Sequence, residues 1–421
     1  MIALCRESNI IYKMTRAIIM EVGNRENGVL MPRKRRDRTI KALLAGTQSM
    51  TLSVIMSQAT IFGQTNESDL PSQTRALFHK AIAEQRNQDP KSAETDYKEV
   101  IYNSADFLPA HFNLALVYDA EDRSDDALIE LAYVEHKMPL FPEAQFFIGI
   151  ENFRLTRYKT ALDALQLAVQ QDPNNPLGWF WLGKTYYATS QPDKAKSALQ
   201  RTLSMAPDHP GALYLMSLIE ISEQDLVRSE SVLASLVERY PQTLDFRQAL
   251  GTVYYLEAQP DRAEKQYREI LRISPSDPQA LSMTGLIYLD RGEATAAIPF
   301  LKRGLAANPK VAFLQVKLGQ ALVDANRFDE GLPHLQRAAS LDPQNPAPHF
   351  LMWKIYSEKK DRESATKELQ EFKKLAASVP ERLSGADLNA LAGPGRGLTS
   401  VPLNPPSGSP LEMDSGNLPK Q

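Results

Sequence analysis

Six histidines are the residues of this chain best suited to acid–base or metal chemistry, but their spacing matches no known site. The sequence contains no zinc-binding His-Glu-x-x-His helix, no phosphate-binding Walker loop and no Gly-x-Ser-x-Gly nucleophile turn. His111 and His349 fall at positions typical of a helical core, and the other four share no common face. The sequence therefore predicts no catalytic residue, no metal site and no cofactor.

Cysteine and glycine patterns lead to the same expectation. The 421-residue chain has one cysteine, Cys5, which excludes a disulfide framework and a cysteine-based zinc site. The Gly-Pro-Gly-Arg-Gly segment at 393–397 contains a proline and follows no predicted strand, so it is interpreted as a linker. We therefore expect a protein that is not an enzyme.

Proline spacing reveals the elements from which the chain is built. Apolar residues spaced by three and four predict helices, and a proline ends a helix because it has no N–H and disfavours helix in the residue before it. Small residues at fixed places allow two helices to approach closely. Seven prolines follow at intervals of 34 residues: Pro139, Pro173, Pro207, Pro241, Pro275, Pro309 and Pro343.

Two helices in every 34 residues resemble the tetratricopeptide repeat (TPR) family. The resemblance covers residues 74–379, which hold nine units without an insertion. It implies an all-α fold, a right-handed superhelical solenoid of nine helix–turn–helix repeats. Small residues occupy the matching place in all nine second helices: Ala93, Ala127, Ala161, Ala195, Ser229, Ala263, Ala297, Gly331 and Ala365.

The resemblance also implies where a partner binds, because first helices line the concave face in this family. Two interpretations of the aromatic residues expected there stay open: a groove for a partner peptide or helix, or packing between neighbouring first helices. The fifth residues of the first three units are Phe rather than the Lys and Asn of a chaperone-tail clamp. The predicted partner-binding residues are Phe78, Phe112, Phe146, Phe153, Phe180, Tyr187, Tyr214 and Tyr255.

The first 59 residues have the order of a secretory signal peptide, with a basic run, an apolar run and a small-x-small triplet at 57–59. A start at Met31 gives a signal of ordinary length. We expect export to the periplasm or surface of a bacterium, with no stable membrane span after processing because the apolar run is interrupted. The alternative is a retained disordered leader on a cytoplasmic adaptor.

Composition defines the remaining segments. Residues 60–73 are interpreted as a polar linker, and residues 380–421, with seven Pro, six Gly and five Ser, as a disordered tail. Residues 1–41 carry a net charge of +6 and the rest of the chain −9, which argues against nucleic acid as a partner. The expected function is a protein-binding scaffold; family analogy adds an accessory subunit of an envelope or polysaccharide-export complex as an alternative.

Overall fold

The computed structural model describes residues 67–139 and 141–377, and all regular structure in these two ranges is helical. A short 3-10 helix, Glu67–Asp69, precedes eighteen α-helices. The predicted signal peptide and the whole of the predicted tail lie outside the described residues.

The eighteen helices follow one another as nine pairs of a first and a second helix, which confirms the predicted all-α class and the helix–turn–helix unit. Each first helix is followed by a two-residue turn, a short connection and its second helix. In chain order they are α1 Ser72–Arg86, α2 Pro90–Asn103, α3 Leu108–Ala120, α4 Ser124–Lys137, α5 Pro142–Arg154, α6 Tyr158–Gln171, α7 Pro176–Ala188, α8 Pro192–Met205, α9 Pro210–Ser222, α10 Leu226–Arg239, α11 Leu244–Leu256, α12 Pro260–Ile273, α13 Pro278–Asp290, α14 Ala294–Ala307, α15 Ala312–Asp324, α16 Phe328–Leu341, α17 Ala347–Glu358 and α18 Arg362–Ala377.

Prolines end the second helices as the sequence predicts. For example, α6 ends at Gln171 and Pro173 follows, while α12 ends at Ile273 and Pro275 follows. Prolines also begin helices at the first position, as in α7 and α13, where the missing N–H is not needed. Proline therefore marks both the end of one hairpin and the start of the next.

Each hairpin turns through a residue in the left-handed region. The next residue donates its backbone N–H to the carbonyl five residues earlier, as Gln259 does to Tyr254 at 2.8 Å, which is the Schellman pattern that closes a helix. Only one of the nine turn residues is glycine. The nine are Gln88, Asp122, Thr156, Ser190, Gln224, Ala258, Gly292, Asn326 and Lys360.

Small residues permit the close crossing inside a hairpin. A Cβ atom added at Gly183 would lie 2.9 Å from Leu199 Cγ, and one added at Gly285 would lie 2.7 Å from Leu301 Cγ. These distances are shorter than a carbon–carbon contact allows, so the leucine of the second helix packs directly on the backbone of the first. The prediction that small residues set this approach is confirmed at these two crossings.

The chain divides into two units between Ile219 and Glu220, within α9. In the N-terminal unit, neighbouring hairpins are joined by ion pairs such as Arg123–Glu94 at 2.7 Å. In the C-terminal unit, Arg262–Glu230 at 2.6 Å and Lys302–Glu330 at 2.9 Å play the same part. The last hairpin has Trp353 where other units have a small residue; it packs partly buried beside Phe350.

Candidate functional site

The eight predicted partner-binding residues differ in exposure. Phe78, Phe112 and Phe146 are buried, with 4%, 0% and 6% of their surface exposed. The other five are half-buried and keep part of their surface open to solvent: Phe153, Phe180, Tyr187, Tyr214 and Tyr255.

The buried phenylalanines pack on aromatic rings of their own or the next hairpin. The Phe78 and Phe107 ring centroids are 4.9 Å apart, and those of Phe112 and Phe141 are 5.3 Å apart, both edge to face. Phe146 lies 5.2 Å from Phe147. Because burial removes these three rings from solvent, they stabilise the stack of hairpins, and their surfaces are not available to a partner.

Phe153 and Phe180 belong to a cluster of side chains in the N-terminal unit. Trp181 joins them, with its ring centroid 5.6 Å from that of Phe153 and 6.0 Å from that of Phe180. The Lys184 Nζ lies 4.9 Å from the Phe153 centroid and 4.3 Å from the Trp181 centroid, within the range of cation–π attraction. We call Phe153, Phe180, Trp181 and Lys184 the aromatic patch.

His209 borders the aromatic patch. Its ring centroid is 4.5 Å from that of Phe180, and its Nδ1 accepts the backbone N–H of Ala212 at 3.1 Å. Burial lowers the pKa of His209. The ring is therefore neutral at neutral pH, and Lys184 supplies the positive charge of this region.

Tyr255 lies in a polar environment in the C-terminal unit. Its hydroxyl donates to Asp290 Oδ2 at 2.5 Å, and burial raises the pKa of Asp290. Lys317 is buried, which lowers its pKa, while Asp290 and Asp324 act in the opposite direction. Tyr255 is thus held by a hydrogen bond to a carboxylate rather than by packing against other aromatic rings.

The histidines at core-type positions link the two helices of a hairpin. His111 Nδ1 lies 2.6 Å from Glu130 Oε2, and His349 Nδ1 lies 2.7 Å from Glu368 Oε2, in both cases 19 residues later. His334 makes the equivalent contact to Gln315 at 2.8 Å. Among the described residues, no group of three His, Cys, Asp or Glu is arranged to hold a metal ion.

Comparison with known proteins agrees with this architecture. The family model described as the cytochrome c-type biogenesis protein H TPR domain matches residues 157–281. A TPR repeat-containing protein of Pseudomonas aeruginosa is 25% identical over 205 residues, which is 48% of this chain and 34% of that protein. This chain is a tetratricopeptide repeat protein.

Other proteins similar to this tetratricopeptide repeat protein include an enzyme and a subunit of a multiprotein complex. The aspartyl/asparaginyl beta-hydroxylase of Mus musculus is 22% identical over 264 residues, covering 53% of this chain and 35% of that enzyme. The crystal structure of the APC/C hetero-tetramer Cut9–Hcn1 matches with a TM-score of 0.50 and 12% identity, covering 76% of this chain and 63% of that chain. The chain spans about a third of the length of the curated relatives it matches.

Trp181 is a residue of the aromatic patch that sequence reasoning missed, because it does not occupy one of the places of the repeat expected to face inward. It lies one residue after Phe180, at the sixth place of its unit, and is buried. A sequence signal does exist for part of this packing. An aromatic residue stands 29 positions after Phe78, Phe112 and Phe180, and in each case the structure brings the two rings together.

Proposed function

We propose that this tetratricopeptide repeat protein is a non-catalytic scaffold that binds a protein partner at the aromatic patch of its N-terminal unit. The observation that carries the proposal is the half-exposed pair Phe153 and Phe180, held by Trp181 beside the Lys184 ammonium. Rings fixed on helices lose little conformational freedom on binding, and such aromatic anchors contribute much of the energy of protein interfaces. A peptide or helix with apolar side chains fits this surface.

The non-catalytic part of the proposal is supported by the contacts of the ionisable side chains. His111, His334 and His349 are engaged in hydrogen bonds between the helices of their own hairpins. The beta-hydroxylase relative is an enzyme by name, and the alignment covers 35% of it. Turnover of a substrate that a single inner-face substitution abolishes would contradict a non-catalytic scaffold.

The test is a quantitative pull-down from the native host with the double variant Phe153→Ala, Phe180→Ala. We expect its partner to bind about tenfold more weakly or worse, because two anchor rings are removed from the interface. The control is Tyr102→Ala on α2, which removes an aromatic side chain that is 88% exposed and lies outside the patch. Circular dichroism checks that all proteins keep their helicity.

Equal capture by the patch variant and the Tyr102→Ala control would overturn the proposed binding site. Loss of capture together with loss of helicity would show instead that the two rings are structural. The expected pattern is loss of capture with unchanged helicity in the patch variant alone.

We also propose that the protein is an exported bacterial protein. The proposal is supported by the succession of a basic run, an apolar run and small residues within positions 1–59. In the described part of the chain, none of the helices has the length and apolar character needed to cross a membrane. A retained leader on a cytoplasmic adaptor is the competing function. The protein's mature N-terminus distinguishes the two.

A further inference from the structure

Two carboxylates share one guanidinium at the junction of the second and third hairpins. Arg154 Nη1 on α5 donates to Glu151 Oε1 at 2.8 Å and also contacts the carboxylate of Asp119 on α3. Glu151 has 0% of its surface exposed, and its Oε2 has no hydrogen-bond partner in the structure. A single positive charge therefore faces two potential negative charges, of which Glu151 is fully buried while Arg154 and Asp119 are partly exposed.

The surroundings of Glu151 favour its neutral form. Burial raises its pKa most strongly, Arg154 opposes this, and Asp119 raises the pKa further by charge repulsion and hydrogen bonding. Asp122, in the turn after α3, adds a negative charge near Arg154. The groups that act on the cluster from the elements around it are Asp119 of α3, Asp122 of the turn, Ser124 of α4 and Arg154 of α5.

A buried acid that binds a proton on folding makes stability depend on pH. A glutamate in an unfolded chain ionises near pH ~4.3. In the folded protein Glu151 keeps its proton to higher pH, so the unfolded state holds fewer protons over this interval. The stabilisation is complete below the unfolded pKa and is lost as the pH rises toward the folded pKa.

We propose that Glu151 is a proton-operated joint between the second and third hairpins. With a proton on Glu151, one carboxylate, one carboxylic acid and one guanidinium give a neutral cluster, and Arg154 holds α5 to Asp119 of α3. Without the proton, Asp119 and Glu151 repel each other around Arg154, and the junction between the two helices loosens.

The joint lies next to the aromatic patch. Phe153 follows Glu151 by two residues and directly precedes Arg154. Its ring contacts Tyr158 at a centroid distance of 5.5 Å. Loosening of α5 displaces this ring, so partner binding weakens as the pH rises. This second consequence rests on the proposed function, whereas the opening of the junction does not.

The experiment compares backbone hydrogen exchange in α3 and α5 between pH ~5 and ~9, expressed as protection factors to remove the intrinsic pH effect. In the wild-type full chain, the protection factors in these helices should fall by about tenfold or more toward high pH. The linkage of one proton lowers them by about tenfold for each pH unit between the unfolded and the folded pKa of Glu151. In Glu151→Gln, an uncharged mimic of the protonated acid, protection should stay at the low-pH level throughout. Asp119→Asn should show a smaller fall than the wild type.

The control is Glu135→Gln on α4, which removes a carboxylate bonded to Gln145 outside the cluster and should keep the wild-type pH response. An equal fall in the wild type and Glu151→Gln, or no fall in the wild type, would overturn the joint. The exchange measurement needs no partner, so it stands even if the aromatic patch proves not to bind one. A partner titration at both pH values then tests the link to Phe153.

Discussion

At the scale of the residue, phenylalanines at equivalent places in the repeat have different environments. Phe112 is enclosed, with its ring 5.3 Å from Phe141 and 5.8 Å from Phe147. Phe180, two repeats later, lies beside the smaller His209 ring and keeps part of its surface in solvent. The same residue type at the same register position thus stabilises the fold in one hairpin and offers a surface in another.

Replacing Phe112 by Ala should destabilise the N-terminal unit by about 3–5 kcal/mol, because a fully buried ring leaves a cavity. Urea denaturation followed by circular dichroism measures the change. Phe180→Ala is the matched control at the equivalent position and should cost less, since its ring is half-buried. A loss below about 1 kcal/mol for Phe112→Ala would contradict its place in the core.

A double variant with Phe112→Ala and Phe146→Ala would be a poor probe of partner binding, because it removes two rings of the core. Both rings are buried, so we expect broad unfolding, and any loss of partner capture follows from that. The pair Phe153 and Phe180 separates binding from stability because their rings are half-buried.

At the scale of the element, the turn of each hairpin is imposed by hydrogen bonding rather than by glycine. Eight of the nine turn residues have a side chain in the left-handed region, where a Cβ atom approaches the following carbonyl oxygen. The Schellman bond, as from Arg327 to Leu322 at 2.7 Å, compensates for this strain. Every such turn retains a local cost that a substitution can remove.

Ala258 and Gly292 give a matched test of that cost in the C-terminal unit. They occupy equivalent turns at φ 56° and 77°, and a Cβ atom at Gly292 would meet no atom within 4 Å. Ala258→Gly should therefore stabilise the protein by about 0.5–1 kcal/mol, and Gly292→Ala should destabilise it by about the same amount. Thermal unfolding measures both, and shifts of the same sign would contradict the explanation.

At the scale of the whole molecule, the 34-residue period was sufficient to predict the hairpins. Pro173 and Pro275 predict the ends of second helices, and the small residues at fixed places predict the close crossings that the structure shows at Gly183 and Gly285, because both signals act within one repeat. The left-handed turns were not predicted, since only Gly292 among them carries the usual residue type.

The candidate site was less accessible to sequence reasoning. Whether Phe112 or Phe180 is exposed depends on the residue that the next hairpin places against it, and Trp181 falls outside the positions expected to face inward. Glu151 and Asp119 meet at one guanidinium only because α5 packs on α3. These contacts arise between helices of different repeats. The 34-residue period shows which positions of two repeats are equivalent, but it does not show which side chains meet there.

Export is a property of the whole chain and is tested on the protein recovered from its native host. Mass spectrometry of the mature N-terminus should find a start near Thr60, because the small residue Ala59 ends the triplet at 57–59. Cys5 should be absent from that protein. An intact N-terminus at residue 1 or at Met31 would favour the cytoplasmic adaptor instead.

The nine exposed turns also make the molecule unusually easy to label. Eight of their residues already carry a side chain in the left-handed conformation, so a cysteine placed at Ser190 or Asp122 adds little strain. The sequence has one native thiol, Cys5, which a single substitution removes. Spectroscopic probes attached one per hairpin would then report the spacing of neighbouring hairpins within each unit, with and without a partner.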